Sequence, residues 1–131
     1  MLKFCKVVEP FGCLVLGDAH APGHECGDQR RDGCRELVGH SLGWVVARDG
    51  DALVGFVNVV SDGLVHAWIQ DTMVATAARH RRIATELVAR AVEESRAAGC
   101  EWLHVDFEDH LRPFYLEACG FEPTNAGLIH L

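Results

Sequence analysis

Residues 71–85, DTMVATAARHRRIAT, decide how this chain is read. A strand-like run ends at Val74, a short loop follows, and an arginine-rich turn opens a long amphipathic helix. A helix N-terminus carries unpaired backbone N–H groups and a partial positive charge, which makes it a natural seat for an anion such as phosphate. Arg79, His80, Arg81 and Arg82 crowd into that one turn, in a chain whose formal net charge is -7. Cationic side chains at this end oppose the helix dipole, so the cluster is unfavourable unless an anion sits there.

Downstream, Ile83, Leu87, Val88, Ala91, Val92 and Ser95 fall on one stripe at helical spacing. Arg82, Glu86, Arg90, Glu93 and Glu94 occupy the other side, and Gly99 is a fitting stop. Residues 102–107 then read as a strand, and strand–helix–strand predicts a parallel crossover. A shorter helix is expected after Pro113, ending near Gly120. Phe121 and the run Leu128 to Leu131 are expected to supply one or two last short strands.

Upstream, residues 43–48, 52–60 and 64–74 read as three strands. Asp49-Gly50-Asp51 and Ser61-Asp62-Gly63 supply turn chemistry between them, so an antiparallel meander is expected. Leu2, Phe4, Val7 and Val8 suit a first strand, and Phe11 to Leu16 the start of a helix or a second strand. Residues 17–33, rich in Gly, His, Asp and Arg, read as loop or broken helix, and Arg35 to Val38 as the end of a short helix.

With 131 residues, 49% hydrophobic and 24% charged, the chain suits one globular domain and argues against disorder. A sequence pI near 5.5 argues against a general nucleic-acid binder. Its apolar runs are too short to span a membrane, and no signal-peptide pattern opens it, so a cytoplasmic location is expected. None of the six cysteines forms a C-x-x-C pair. Cys100 and Cys119 read as small buried hydrophobes. His20, His24, Cys26 and Cys34 are weighed as zinc ligands, but their spacing is unfamiliar and a polar loop is preferred, so no metal is expected.

The order of elements, with Arg79-His80-Arg81-Arg82-Ile83-Ala84 at the helix start, resembles the GNAT superfamily of N-acetyltransferases. That family carries Gln/Arg-x-x-Gly-x-Gly/Ala here, and Arg82 stands where the central glycine is usual. A second block, PFYLEACGF over residues 113–121, resembles the family's late helix; Tyr115 lies five residues before Gly120 where four is usual. The resemblance implies an α/β (α+β) fold with a mixed, mainly antiparallel sheet of about six strands and flanking helices. It covers residues 41–131 as the core of a single domain over 1–131, with 1–40 matching poorly.

It further implies acetyl-CoA as cosubstrate. The pyrophosphate falls to the turn of Arg79, Arg81, Arg82, Ile83, Ala84 and Thr85, and the pantetheine arm to the strand edge at Met73 and Val74. The Val74 amide is placed to polarise the thioester carbonyl, and Tyr115, the chain's only tyrosine, to protonate the departing thiolate. Asp71, Asp106 and Glu108 are candidate bases, with His66, His104 and His110 beside them. The implied acceptor is a small-molecule or peptide amine, which net acidity tilts toward cations. A homodimer is the expected assembly. The alternative is a non-catalytic acyl-CoA-binding or dimeric interaction module on the same fold.

Overall fold

The computed structural model describes the backbone of residues 2–7 and all of residues 41–131. The first strand, β1 (Leu2–Val7), runs antiparallel to β2 (Ser41–Asp49), from Leu2 opposite Asp49 to Val7 opposite Trp44. Gly50, at φ +60°, turns the chain into β3 (Ala52–Ser61), a conformation that costs glycine little. The next turn is fixed by Asp62, whose Oδ1 accepts from the N–H groups of Leu64 at 2.7 Å and His66 at 3.2 Å. It delivers β4 (His66–Val74), antiparallel to β3. Helix α1 (Ile83–Ala97) crosses over to β5 (Trp102–Val105), which pairs parallel with β4. The meander and the parallel crossover expected from the sequence are both present.

The period-2 pattern of the strands divides the sheet into two faces. Val45, Ala47, Val57, Val59, Ala67 and Ile69 meet Ile83, Leu87, Val88 and Ala91 of α1 in one buried cluster. Full burial of each such aliphatic side chain stabilises by about 1.5–3 kcal/mol. Gly55 lies under the start of α1, where a Cβ would stand 2.8 Å from Ile83 Cγ2 and 2.9 Å from Leu87 Cδ1. Here glycine serves close approach rather than a turn. On the opposite face Trp44, Val46 and Phe56 form a second buried cluster.

Helix α1 stops where Gly99 was expected to stop it. Gly99 sits at φ +89°, its N–H donates to Arg96 O, and the Cys100 N–H donates to Ser95 O, both at 3.0 Å. These are the two bonds of a Schellman ending, which satisfies carbonyls the helix leaves open.

Two expectations are corrected. The described residues form five strands in the order β1-β2-β3-β4-β5, not about six. Residues 120–131 form no strand, and Leu128, Ile129 and Leu131 are exposed. Pro123, Asn125 and Gly127 break the alternation a closing strand needs, and β5 offers only four ladder positions. The shorter helix expected after Pro113 is present, as a π-helix, Pro113–Ala118, closed by Cys119 N–H donating to Phe114 O at 3.0 Å. Residues 11–38 and the His20, His24, Cys26 and Cys34 set lie outside the described residues.

Candidate active site

After Val74 the chain makes one 3-10 turn, Thr76–Ala78, with Ala78 buried against the core. His80 at φ +64° and Arg82 at φ +60°, ψ +14° are both left-handed. Arg82 is therefore the residue whose backbone turns the chain into α1. Glycine would hold that conformation freely, whereas arginine pays about 1–2 kcal/mol for it. The family's glycine and the geometry at Arg82 thus have one explanation.

No side chain caps α1. Its first helical bond is Glu86 N–H to Arg82 O at 3.1 Å, so the amides of Ile83, Ala84 and Thr85 have no acceptor one turn back. Ile83, buried at the helix start, fixes these amides relative to the sheet. Arg79, Arg81 and Arg82 are exposed around them. Arg81 is tied to the end of β2, its Nη1 donating to Asp49 Oδ2 at 2.7 Å. The guanidinium holds the Asp49 carboxyl below its ordinary value. Among the described residues Arg79 and Arg82 make no ion pair and remain available to an anion.

The second part of the site is the stretch of β4 beyond its pairing with β5. Between Phe56, opposite Met73, and Asn58, opposite Gln70, β4 holds one more residue than β3. This bulge contains Asp71 at φ +53°, a conformation aspartate tolerates better than most side chains. Pairing of β4 with β5 ends at Ile69 and Val105, so among the described residues β4 from Gln70 onward has no partner strand on that side. The Ala75 N–H donates to Val54 O at 2.9 Å, toward β3. Successive amides of a strand point to opposite edges, so the Val74 N–H faces away from β3, toward that unpaired side. Met73 is exposed and Val74 half-buried on that edge. Two buried groups near the bulge, Asn58 Nδ2 and Thr72 Oγ1, lack hydrogen-bond partners among the described residues. Orphans of this kind cost about 1–3 kcal/mol each and are expected at a functional site.

Tyr115 is buried among aromatic rings, stacked on Phe107 at 5.1 Å and edge-on to Phe114 and Phe121. The π-turn accounts for its spacing: the wider turn absorbs the extra residue before Gly120. Glu108 is exposed beyond β5 and lies 3.3 Å from His110 Nδ1. Asp71 is exposed at the bulge. Sequence reasoning named His66 and His104 singly and missed that His66 Nδ1 lies 2.8 Å from His104 Nε2. The available signal was their place on two strands predicted to run parallel. It also missed the bulge, which an aspartate inside a strand pattern signals.

An uncapped, arginine-flanked helix start beside an unpaired strand edge is an arrangement suited to an anionic ligand. The model of the acetyltransferase (GNAT) family matches residues 14–121, and the chain belongs to that family. An acetyltransferase of the GNAT family from Streptococcus pneumoniae TIGR4 is 26% identical, with 100% of this chain and 98% of that one covered at a TM-score of 0.70. A Trypanosoma brucei acetyltransferase is 17% identical over 99% of each chain, TM-score 0.73. AAC(6')-Iy, solved with the bisubstrate analogue CoA-S-monomethyl-acetylneamine, is 17% identical over 100% of this chain and 97% of that one, TM-score 0.70. No curated protein matches the chain. Among the described residues no helix is long and apolar enough to cross a membrane.

Proposed function

We propose that this protein moves an acetyl group from acetyl-CoA to a primary amine, by direct attack within a ternary complex. The observation that carries the reading is the uncapped N-terminus of α1, flanked by Arg79 and Arg82, at the end of a β4 edge that no strand pairs among the described residues. The residues fit the cosubstrate: amides of Ile83, Ala84 and Thr85 with the two arginines for its phosphates, and the edge at Met73 and Val74 for its amide-bearing arm. The bisubstrate analogue bound by AAC(6')-Iy supports this assignment. Acetyl-CoA supplies the acyl group.

The chain's own residues do the rest. The Val74 N–H, directed away from β3, donates to the carbonyl oxygen on which charge develops, as an oxyanion hole does. Tyr115 gives its hydroxyl proton to the departing sulfur. Asp71 and Glu108 are exposed near where β4 and β5 part and act on the acceptor side, drawing a cationic amine to that point. The acceptor is a small-molecule or peptide amine, the location cytoplasmic, and the assembly a homodimer.

Calorimetric titration with acetyl-CoA tests the reading. Micromolar binding by the wild type, lost by Arg79→Ala/Arg82→Ala, is expected, followed by CoA release with some member of an amine panel. A folded wild type that does not bind removes the cosubstrate and the function with it. The burial of the Tyr115 ring favours one other reading, a non-catalytic acyl-CoA-binding module, in which binding persists and no amine releases CoA.

A further inference from the structure

The sheet face opposite α1 carries an aromatic stack. His66 and Trp68 of β4 lie beside His104 of β5, with ring centroids 5.0 Å apart for His66–His104 and 4.9 Å for Trp68–His104. The planes lie within 27° and 17° of parallel. The parallel register sets His104 opposite Trp68, one residue before β4 and β5 separate after Ile69 and Val105. The free edge of β4 runs from the arginine turn back to this point. This point is thus the end of the edge remote from the phosphate seat, and the two half-buried histidines lie beside it.

The 2.8 Å contact between His66 Nδ1 and His104 Nε2 fixes what the pair can do. Two ring nitrogens share a hydrogen bond only if one carries the proton and the other offers a lone pair. With the proton on His104 Nε2, donating to His66 Nδ1, His104 Nδ1 keeps a lone pair. Both outer nitrogens, His104 Nδ1 and His66 Nε2, lack a hydrogen-bond partner among the described residues.

We infer that His104 and His66 form the proton relay that readies the acceptor amine, an inference that rests on the acetyltransferase reading above. Water along the unpaired edge of β4 carries the ammonium proton to His104 Nδ1; the Nε2 proton passes to His66 Nδ1; the Nε2 proton of His66 leaves to water. The amine lone pair then forms the C–N bond to the acyl carbon and the C–S bond breaks. The nitrogen's second proton replaces the one Tyr115 gives to sulfur, so one proton is released per turnover. Trp68, stacked on His104, holds the ring plane. The other titratable groups near the pair, among the described residues, are Asp62 in the turn before β4, Asp71 at the bulge, Glu101 ahead of β5, and Asp106 and Glu108 beyond it. The β3 neighbours on this face, Asn58 and Val60, carry no charge.

Two measurements test the relay. Nitrogen-15 NMR of labelled histidine rings reads the shared hydrogen bond without any substrate. The contact predicts one protonated and one bare ring nitrogen facing each other, with a scalar coupling between the rings that His66→Gln removes. Rings that show no such coupling in the wild type overturn the relay. Steady-state CoA release from acetyl-CoA with an amine panel follows the chemistry. His104→Gln is expected to lower kcat/KM by about 100-fold and remove the acidic limb of its pH profile, while His66→Gln moves that limb with a smaller loss. Variants that bind acetyl-CoA like wild type and keep its pH profile overturn the relay and leave the acetyltransferase reading standing. A folded wild type that neither binds acetyl-CoA nor releases CoA with any amine overturns that reading and the relay with it.

Discussion

Replacing Gly55 by alanine tests how tightly the sheet holds the start of α1. The added methyl would lie 2.8 Å from Ile83 Cγ2, 2.9 Å from Leu87 Cδ1 and 3.3 Å from Ala47 Cβ. Carbon atoms rest about 3.5–4.0 Å apart, so about 0.7 Å must be found. Leu87 can swing its terminal methyl, but Ile83 carries Cγ2 on a branched Cβ whose χ1 is stiff in a helix. Both side chains are fully buried, so neither has free space to enter. Overpacking of this kind costs about 1–3 kcal/mol, and the lower chain entropy of unfolded alanine returns about 0.4–1 kcal/mol. A net loss of about 1–2 kcal/mol is expected. In urea, with a slope of about 1–3 kcal/mol/M, the midpoint falls by roughly 0.5–1 M at unchanged slope. A double-mutant cycle with Ile83→Ala, which removes the clashing methyl, should show a coupling of about 1 kcal/mol. Because Ile83 also anchors the amides of the phosphate seat, acetyl-CoA binding weakens in the single variant. A Gly55→Ala protein as stable as wild type, with an additive cycle, would refute the packing argument.

Arg82→Gly removes left-handed strain while deleting a phosphate-side cation. It should raise stability by about 1 kcal/mol in urea denaturation and weaken acetyl-CoA binding by calorimetry. Lower stability would mean that the backbone at residue 82 is not strained. Asp49→Asn breaks the pair with Arg81, and its effect depends on pH. The folded Asp49 carboxyl is held below its ordinary value of 3.8, so the pair's contribution is full above that value and disappears as pH falls through the lowered one. The stability gap between wild type and variant should therefore close on acidification; a gap that persists in acid refutes the assignment. Burial pushes the Cys119 thiol up, so iodoacetamide should modify it more slowly than free glutathione at pH 8, as read by mass spectrometry.

Much of this architecture is written in local pattern. Strands with period-2 burial, turns at Asp49-Gly50 and Asp62-Gly63, a helix with one apolar stripe and a glycine stop are decided by residues close in sequence. The helix start behind the arginine turn was legible for the same reason: its residues are contiguous in the chain. The missing last strands were not legible, because a short apolar run such as Leu128 to Leu131 forms a strand only if a neighbour offers it an edge and a surface.

What only the tertiary structure decided lies between segments far apart in the chain. The sequence shows arginine where its family keeps glycine; the fold shows that residue 82 is left-handed, which is why glycine is usual there. Asp71 reads as a candidate base in a strand, and only the register with β3 reveals that it sits in a bulge. Tyr115 stands five residues before Gly120, and only the fold shows that the segment carrying it is a π-helix. His66 and His104 stand 38 residues apart, and no local pattern pairs them. Local preferences depend on a few neighbouring residues, whereas register, splay and a 2.8 Å contact across two strands depend on how the whole sheet settles.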